Sequence, residues 1–216
     1  MSMSFVSYIL NGISLGSVYA IIALGYTMVY GIAKMLNFAH GDIIMVGSYV
    51  AFIAINSMGL PVPVSILLSV VVCTVLGMVI ERVAYKPLRH ASKLAVLITA
   101  IGASYFLQNV ALLIFGANTK SFTSIVGNGS VQLAGGALSV TMVTIVTVIA
   151  CVVIMIGLMA FMKYSKAGHA MLAVSEDDGA AQLMGINVNA TIALTFAIGS
   201  GLAAIAGVLL CSAYPS

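Results

Sequence analysis

Three polar side chains of different chemistry fall within six residues of one another: Asn37, His40 and Asp42, in the stretch "MLNFAHGD". An amide, an imidazole and a carboxyl group together offer donors, acceptors and a titratable proton site. That set suits holding or passing a small polar solute. It equally suits an ordinary turn, with His40-Gly41-Asp42 capping a helix start where an acid favours the free N–H groups and the helix dipole. The two roles are compatible. Asn11, Gln108 and Asn109 are polar side chains in apolar surroundings. They are expected to face protein or a cavity, bonding between helices or touching a solute. For catalysis or metal binding the pattern offers little. Cys73, Cys151 and Cys211 have neither metal nor redox spacing and read as packing residues. His40, His90 and His169 are scattered. Glu81 and Arg82 carry opposite charges near a span, yet as sequence neighbours they point to different sides of a helix. No GxxxxGK[ST] loop for nucleotide phosphates occurs.

These residues must be positioned by helices in lipid. Only 6% of the 216 residues are charged and the mean hydropathy is +1.20, against roughly 25% charged in a soluble domain. The net charge of +3 is no nucleic-acid footprint, because the basic residues lie in short gaps between apolar runs. Phe5 to Ala33 and Ile43 to Ile80 contain no Asp, Glu, Lys, Arg or His. A span needs about 20 apolar residues. Six are expected, at 5–33, 38–57, 62–81, 94–116, 140–162 and 190–211, forming one all-α, polytopic membrane domain over 1–216. No basic segment precedes the first, so Phe5 onward is expected to be a retained span rather than a cleaved signal. Pro61 and Pro63 open the third span, where a missing N–H costs least. Asn128-Gly129, flanked by β-branched residues, predicts a hairpin turn in a surface loop.

Span lengths make the polar stretch unusual. The 29 residues of the first run make about 43 Å of helix, whereas the 13 residues between Asp42 and Asn56 make about 20 Å. The second helix crosses the core only if "NFAHGD" itself dips below the interface. Irregular polar backbone is tolerated there only against protein or a water-filled cavity, and transporters place discontinuous helices at such points. Orientation follows from Lys and Arg. With the N-terminus outside, inner loops hold Lys34, Arg82, Lys86, Arg89, Lys93, Lys163 and Lys166, and outer segments hold only Lys120. That bias puts "MLNFAHGD", "ERVAYKPLRHASK" and the 163–189 loop in the cytoplasm. In that 27-residue loop, which holds three of the five acids, Ser175 and Asp178 resemble a capping box. Gly185 with Ile186 suits a Schellman stop, predicting one short helix at about 175–185. Gly12 and Gly16 with Ala20, and Gly199 and Gly207 with Ala203, recur at the spacing of close helix packing.

One resemblance covers nearly the whole chain. "GAAQLMG", Gly179 to Gly185, looks like the Ala-Ala-x-x-x-Gly core of the motif that ABC-importer permeases offer to their ATPase subunits, with Gly179 where that motif carries Glu. "LNGISLGSVYAIIALGYTMVYGIAKMLNFAHGDIIMVGSYV", "ERVAYKPLR", "LITAIGASYFLQN" and the segment from Gly168 to Leu210 are similar, in residue and order, to branched-chain amino acid ABC-transporter permeases of the LivH type. The resemblance implies the ABC-importer permease fold in a bacterial inner membrane and a subunit that is not an enzyme and needs no cofactor. It implies a second homologous permease, two cytoplasmic ATPase subunits and an extracytoplasmic binding protein delivering leucine, isoleucine or valine. Membrane lipid surrounds it and no nucleic acid is involved. With the resemblance, Asn37, His40 and Asp42 are expected to line part of the substrate pathway, and Gln108 and Asn109, polar within a span, are the further candidates for contact with the solute. The resemblance assigns Ser175, Glu176, Asp178, Gly179, Ala180, Ala181 and Gly185 to ATPase coupling. Family members usually run on past the point where this chain stops, so a shortened form is expected. Urea or short amides are an alternative cargo. A passive channel would carry charge rings or a carbonyl filter and an intramembrane enzyme would pair ionisable groups deep in spans; neither pattern is seen.

Overall fold

A computed structural model describes residues 2–89, 91–118, 120–122, 129–133 and 138–214. In order come α1 (Ser2–Ala33), α2 (His40–Asn56), α3 (Val62–Ile80), α4 (Lys93–Phe115), α5 (Met142–Tyr164), α6 (Lys166–Glu176), α7 (Asp178–Leu183) and α8 (Val188–Ala213). Among the described residues five helices are long and apolar enough to cross a membrane: Tyr8–Ala33, Val62–Leu88, Lys93–Phe115, Met142–Tyr164 and Val188–Ala213. The expected second span is α2, and its 17 residues fall short of the roughly 20 that a crossing needs. The protein is therefore a polytopic helical membrane protein.

Pro61 precedes α3 in extended conformation and Pro63 lies in its first turn, as the missing N–H groups require. At its far end α3 runs on further than the sequence predicts. Glu81–Tyr85 form a π turn, with the Lys86 N–H bonded to the Glu81 carbonyl five residues back. Lys86–Leu88 follow as a 3-10 turn containing Pro87, which cannot continue the α ladder. Strands β1 (Ser130–Leu133) and β2 (Leu138–Thr141) pair antiparallel, Leu133 opposite Leu138. A hairpin is present, but its connection is residues 134–137, because Gly129 precedes β1 rather than turning it. Asn128 and 134–137 lie outside the described residues.

Helix α8 is the centre of the bundle, packed by α1, α2 and α3. Its buried face is made of small residues, among them Gly199, Ser200, Ala203, Ala204 and Gly207. Lipid tails are as apolar as leucine, so helices associate by close packing rather than by escape from water. A Cβ on Gly207 would lie 2.5 Å from the Ile44 carbonyl oxygen, and one on Gly199 would lie 2.8 Å from Val29 Cγ2. These two glycines let α2 and α1 approach α8 at backbone distance. Gly12 and Gly16 behave otherwise. Both are exposed, with nothing within 4 Å of a Cβ built on either. Of the expected packing stripe on α1, Gly12 and Gly16 meet no described residue, whereas Ala20 packs against the cluster of Ile21, Cys151, Ala206 and Leu209; α1 also meets α8 further along, at Gly25 and Val29. Hydrogen bonds add to the close packing between α3 and α2: Ser69 Oγ donates to the Gly47 carbonyl over 2.7 Å, and Cys73 Sγ to that of Ile43 over 3.6 Å.

Candidate functional site

The polar stretch links α1 to α2 through a sharp reversal. Lys34 takes φ 54° directly after α1, a left-handed conformation that costs a non-glycine residue about 1–3 kcal/mol. Its N–H still bonds the Tyr30 carbonyl at 2.9 Å, and the His40 N–H closes the turn on the Asn37 carbonyl at 3.2 Å. The capping expectation needs correction. Ala39 is the N-cap of α2 and makes no side-chain bond. His40, Gly41 and Asp42 are the first turn itself, where the carboxyl group suits the dipole.

Each polar side chain here meets a different helix. Asn37, 2% exposed, accepts at Oδ1 from the Tyr85 hydroxyl at 3.1 Å. His40, also 2% exposed, packs edge-on against Tyr26 with ring centroids 5.9 Å apart. A Cβ on Gly25 would lie 3.1 Å from His40 Cε1 and 3.1 Å from the Gly199 carbonyl oxygen, so the imidazole occupies space that Gly25 leaves free. Among the described residues neither ring nitrogen has a partner in good hydrogen-bond geometry. Asp42 is buried, and its Oδ1 accepts from Gln108 Nε2 at 2.9 Å while Oδ2 has no partner. Gln108 also donates to Ser104 Oγ at 3.2 Å, so both amide hydrogens are used. The structure therefore brings Gln108 to Asp42, while Asn37 and His40 of the same turn pack against Tyr85 and Tyr26. It does not bring Asn109, which is exposed and donates to the Tyr105 carbonyl of its own helix at 2.7 Å.

A cavity of about 810 Å³ opens beside this turn, lined by Tyr19, Gly41, Ser48, Tyr49, Phe52 and Lys120 among others. Gly41 sits between His40 and Asp42, so the cavity reaches the polar turn. Lys120 is the charged residue in its described lining and lies 5.8 Å from the centroid of the Phe52 ring. Tyr49 stacks on Phe115 at 4.1 Å. A largely apolar chamber whose described lining holds one cation and no carboxylate fits a solute with an apolar body and an anionic end.

On the side of this turn formed by Lys34, Met35 and Leu36, a second cavity of about 1150 Å³ holds charges of both signs in its lining. Lys34, Arg89 and Lys93 line it together with Glu176, Asp177 and Asp178. The segment carrying the acids forms two helices rather than the single one expected. Ser165 caps α6, accepting from the Gly168 N–H at 2.8 Å, and Asp177 caps α7, accepting from the Ala180 N–H at 2.9 Å. Ser175 caps nothing. Its hydroxyl donates to the Leu172 carbonyl at 2.7 Å, so Ser175 and Glu176 end α6, while Asp178, Gly179, Ala180 and Ala181 belong to α7. The Schellman stop forms as predicted. Gly185 has φ 83°, the Ile186 N–H reaches the Ala181 carbonyl at 3.0 Å, and the Gly185 N–H reaches that of Gln182 at 3.0 Å. Ala181 is buried, and Ile186 packs against the same apolar cluster.

Sequence reading missed several residues here. Leu183 and Met184 are 90% and 83% exposed at the end of α7, although an apolar pair in a polar loop is a visible signal of a partner. Glu81 is ion-paired with Arg89, whose guanidinium also donates to Asn189 Oδ1. Arg82 points out, as its adjacency to Glu81 predicts; the partner lies eight residues on.

Residues 8–215 match the family model described as branched-chain amino acid transport system / permease component. The chain is 43% identical over 217 residues to the high-affinity branched-chain amino acid transport system permease protein LivH of Escherichia coli K12, covering 95% of this chain and 70% of that one. It is 45% identical over 218 residues to the corresponding permease protein BraD of Pseudomonas aeruginosa, with the same shares of the two chains. A probable branched-chain amino acid transport permease protein of Methanocaldococcus jannaschii is 30% identical over 197 residues, 88% of this chain and 61% of that one. No solved structure matches.

Proposed function

The chain belongs to the permease-component family of branched-chain amino acid transport systems, and from that premise we propose that it is a membrane-spanning subunit of an ABC importer for leucine, isoleucine and valine. ATP hydrolysis takes place in two separate subunits that dock at the α6–α7 segment on the cytoplasmic face. A second permease completes the pathway, and a binding protein delivers the amino acid to the opposite face.

The observation that carries this reading is the exposed apolar pair Leu183–Met184 at the C-terminal end of α7, a helix that follows directly on Glu176 and Asp177 and opens with Asp178. A bilayer does not cover a segment that carries three consecutive acids, whereas a protein partner covers both the apolar tip and the acids that precede it. The cavity lined by Lys120 and Tyr49 supports the cargo assignment, since an aliphatic side chain suits its walls and a carboxylate suits its cation. Asn37, His40, Asp42 and Gln108 then form the inner end of the pathway, where a moving solute exchanges hydrogen bonds with the turn.

Proteoliposomes holding the assembled transporter and internal ATP test this reading. Leucine delivered by the binding protein accumulates inside, and equimolar urea does not compete. ATP-independent equilibration would contradict the importer, and urea accumulation would replace the cargo.

A further inference from the structure

The π turn after α3 joins the two parts of the site. A π turn closes its hydrogen bonds one residue later than an α turn, and such turns are frequent at functional positions. Here it keeps both Glu81 and Tyr85 on the buried face, 3% and 1% exposed. Tyr85 reaches toward the α1–α2 connection, where its hydroxyl lies 3.1 Å from Asn37 Oδ1 and 3.3 Å from the Leu36 carbonyl oxygen. Its ring rests on Phe196 of α8, centroids 5.2 Å apart. Glu81 reaches the other way. Its carboxylate holds Arg89, and Arg89 holds Asn189 in the first turn of α8, just past the Gly185–Asn187 corner that ends α7. Tyr85, Phe196 and Ala181 also share one buried apolar cluster, against which Ile186 packs.

An ion pair at this depth is a costly way to obtain stability, because desolvation offsets most of its attraction. What it does supply is a fixed geometry between elements. We propose that Tyr85 and the Glu81–Arg89–Asn189 bridge are positioning residues that lock the Leu36–Asn37 segment to the α7–α8 corner, so that displacement of that corner moves the polar turn. Neither end shifts alone without breaking either a bond to a buried carboxylate or the Tyr85–Asn37 bond. This inference rests on the ATP-coupled reading above, which supplies the displacement.

The test uses the full chain assembled with its ATPase subunits in nanodiscs, where both faces are open to reagent. Leu36, 37% exposed and lining the charged cavity, is replaced by cysteine in a Cys211→Ser background; Cys73 and Cys151 are buried. The rate of labelling by a hydrophilic maleimide at position 36 changes when ATP is added. Tyr85→Phe keeps the ring and loses the hydroxyl, and Arg89→Gln keeps bulk and loses the charge. Each abolishes the ATP-dependent change while ATP hydrolysis continues. A merely structural role would alter the labelling rate equally with and without ATP. ATP-dependent labelling that survives both substitutions overturns this inference alone. ATP-independent labelling of Leu36→Cys without either substitution overturns the ATP-coupled reading, and this inference with it.

Discussion

Gln108 Nε2 donates to Asp42 Oδ1 over 2.9 Å and so ties α4 to the first turn of α2. The bond supplies a donor to a buried carboxyl group whose other oxygen has none. A buried acceptor stripped of its partner costs about 1–3 kcal/mol, and more if charged. Gln108→Ala should therefore lower stability by about that much. Adding Asp42→Asn removes the charge and should recover part of the loss, so the two effects will not add. Unfolding midpoints of the single and double variants in detergent check this; additive losses would show that the two side chains act independently.

Glycine substitutions should separate the packed face from the open one. The Cβ of Gly207→Ala meets the Ile44 carbonyl oxygen at 2.5 Å, an overlap of the kind that costs about 1–3 kcal/mol in a close-packed interior. Gly12→Ala and Gly16→Ala meet nothing within 4 Å and should leave the chain as stable as the parent or raise its stability by up to about 1 kcal/mol through helix propensity. The same unfolding midpoints rank the three. Equal effects would contradict the central placement of α8.

Helix α7 should depend on its caps. Asp177→Ala removes the acceptor for the Ala180 N–H and should destabilise the short helix by about 1 kcal/mol. Gly185→Ala forces a Cβ into φ 83°, at a cost of about 1–2 kcal/mol. Ser175→Ala, which removes no cap, should change little. Amide hydrogen exchange over 178–186 reads the difference locally, with faster exchange in the first two variants and parent-like exchange in the third.

How far the sequence predicts this arrangement depends on the range of the interaction. The Schellman stop at Gly185 and the shortness of α2 are local, set by residue type and by counting, and both hold in the structure. Gly199 and Gly207 are legible because small residues recur on one helix face. The same spacing misplaces Gly12 and Gly16, since a helix apolar all round gives no sign of which face meets protein. The link between Asn37 and Tyr85 spans 48 positions and that between Asp42 and Gln108 spans 66. Neither pairing follows from residue type until the helices are placed side by side. Glu81 and Arg89 are closer in sequence, but the π turn and Pro87 between them break the regular spacing by which a helical pair is recognised. Ser175 fails as a cap for a related reason: α6 persists to Glu176, and Asp177 is the first residue free to adopt the extended backbone a cap requires.

The proposed account turns on α7 facing the cytoplasm with its apolar tip available to an ATPase subunit. Because Ala181 is buried and Leu183 exposed, substitution at 183 tests the surface without disturbing the fold. Leu183→Cys in the Cys211→Ser chain, treated with a membrane-impermeant maleimide, should be unreactive in intact cells and reactive in inside-out vesicles. Prior assembly with the ATPase subunits should protect it. Labelling from the outside of intact cells would contradict the orientation, and undiminished labelling of the assembled transporter would contradict the docking surface.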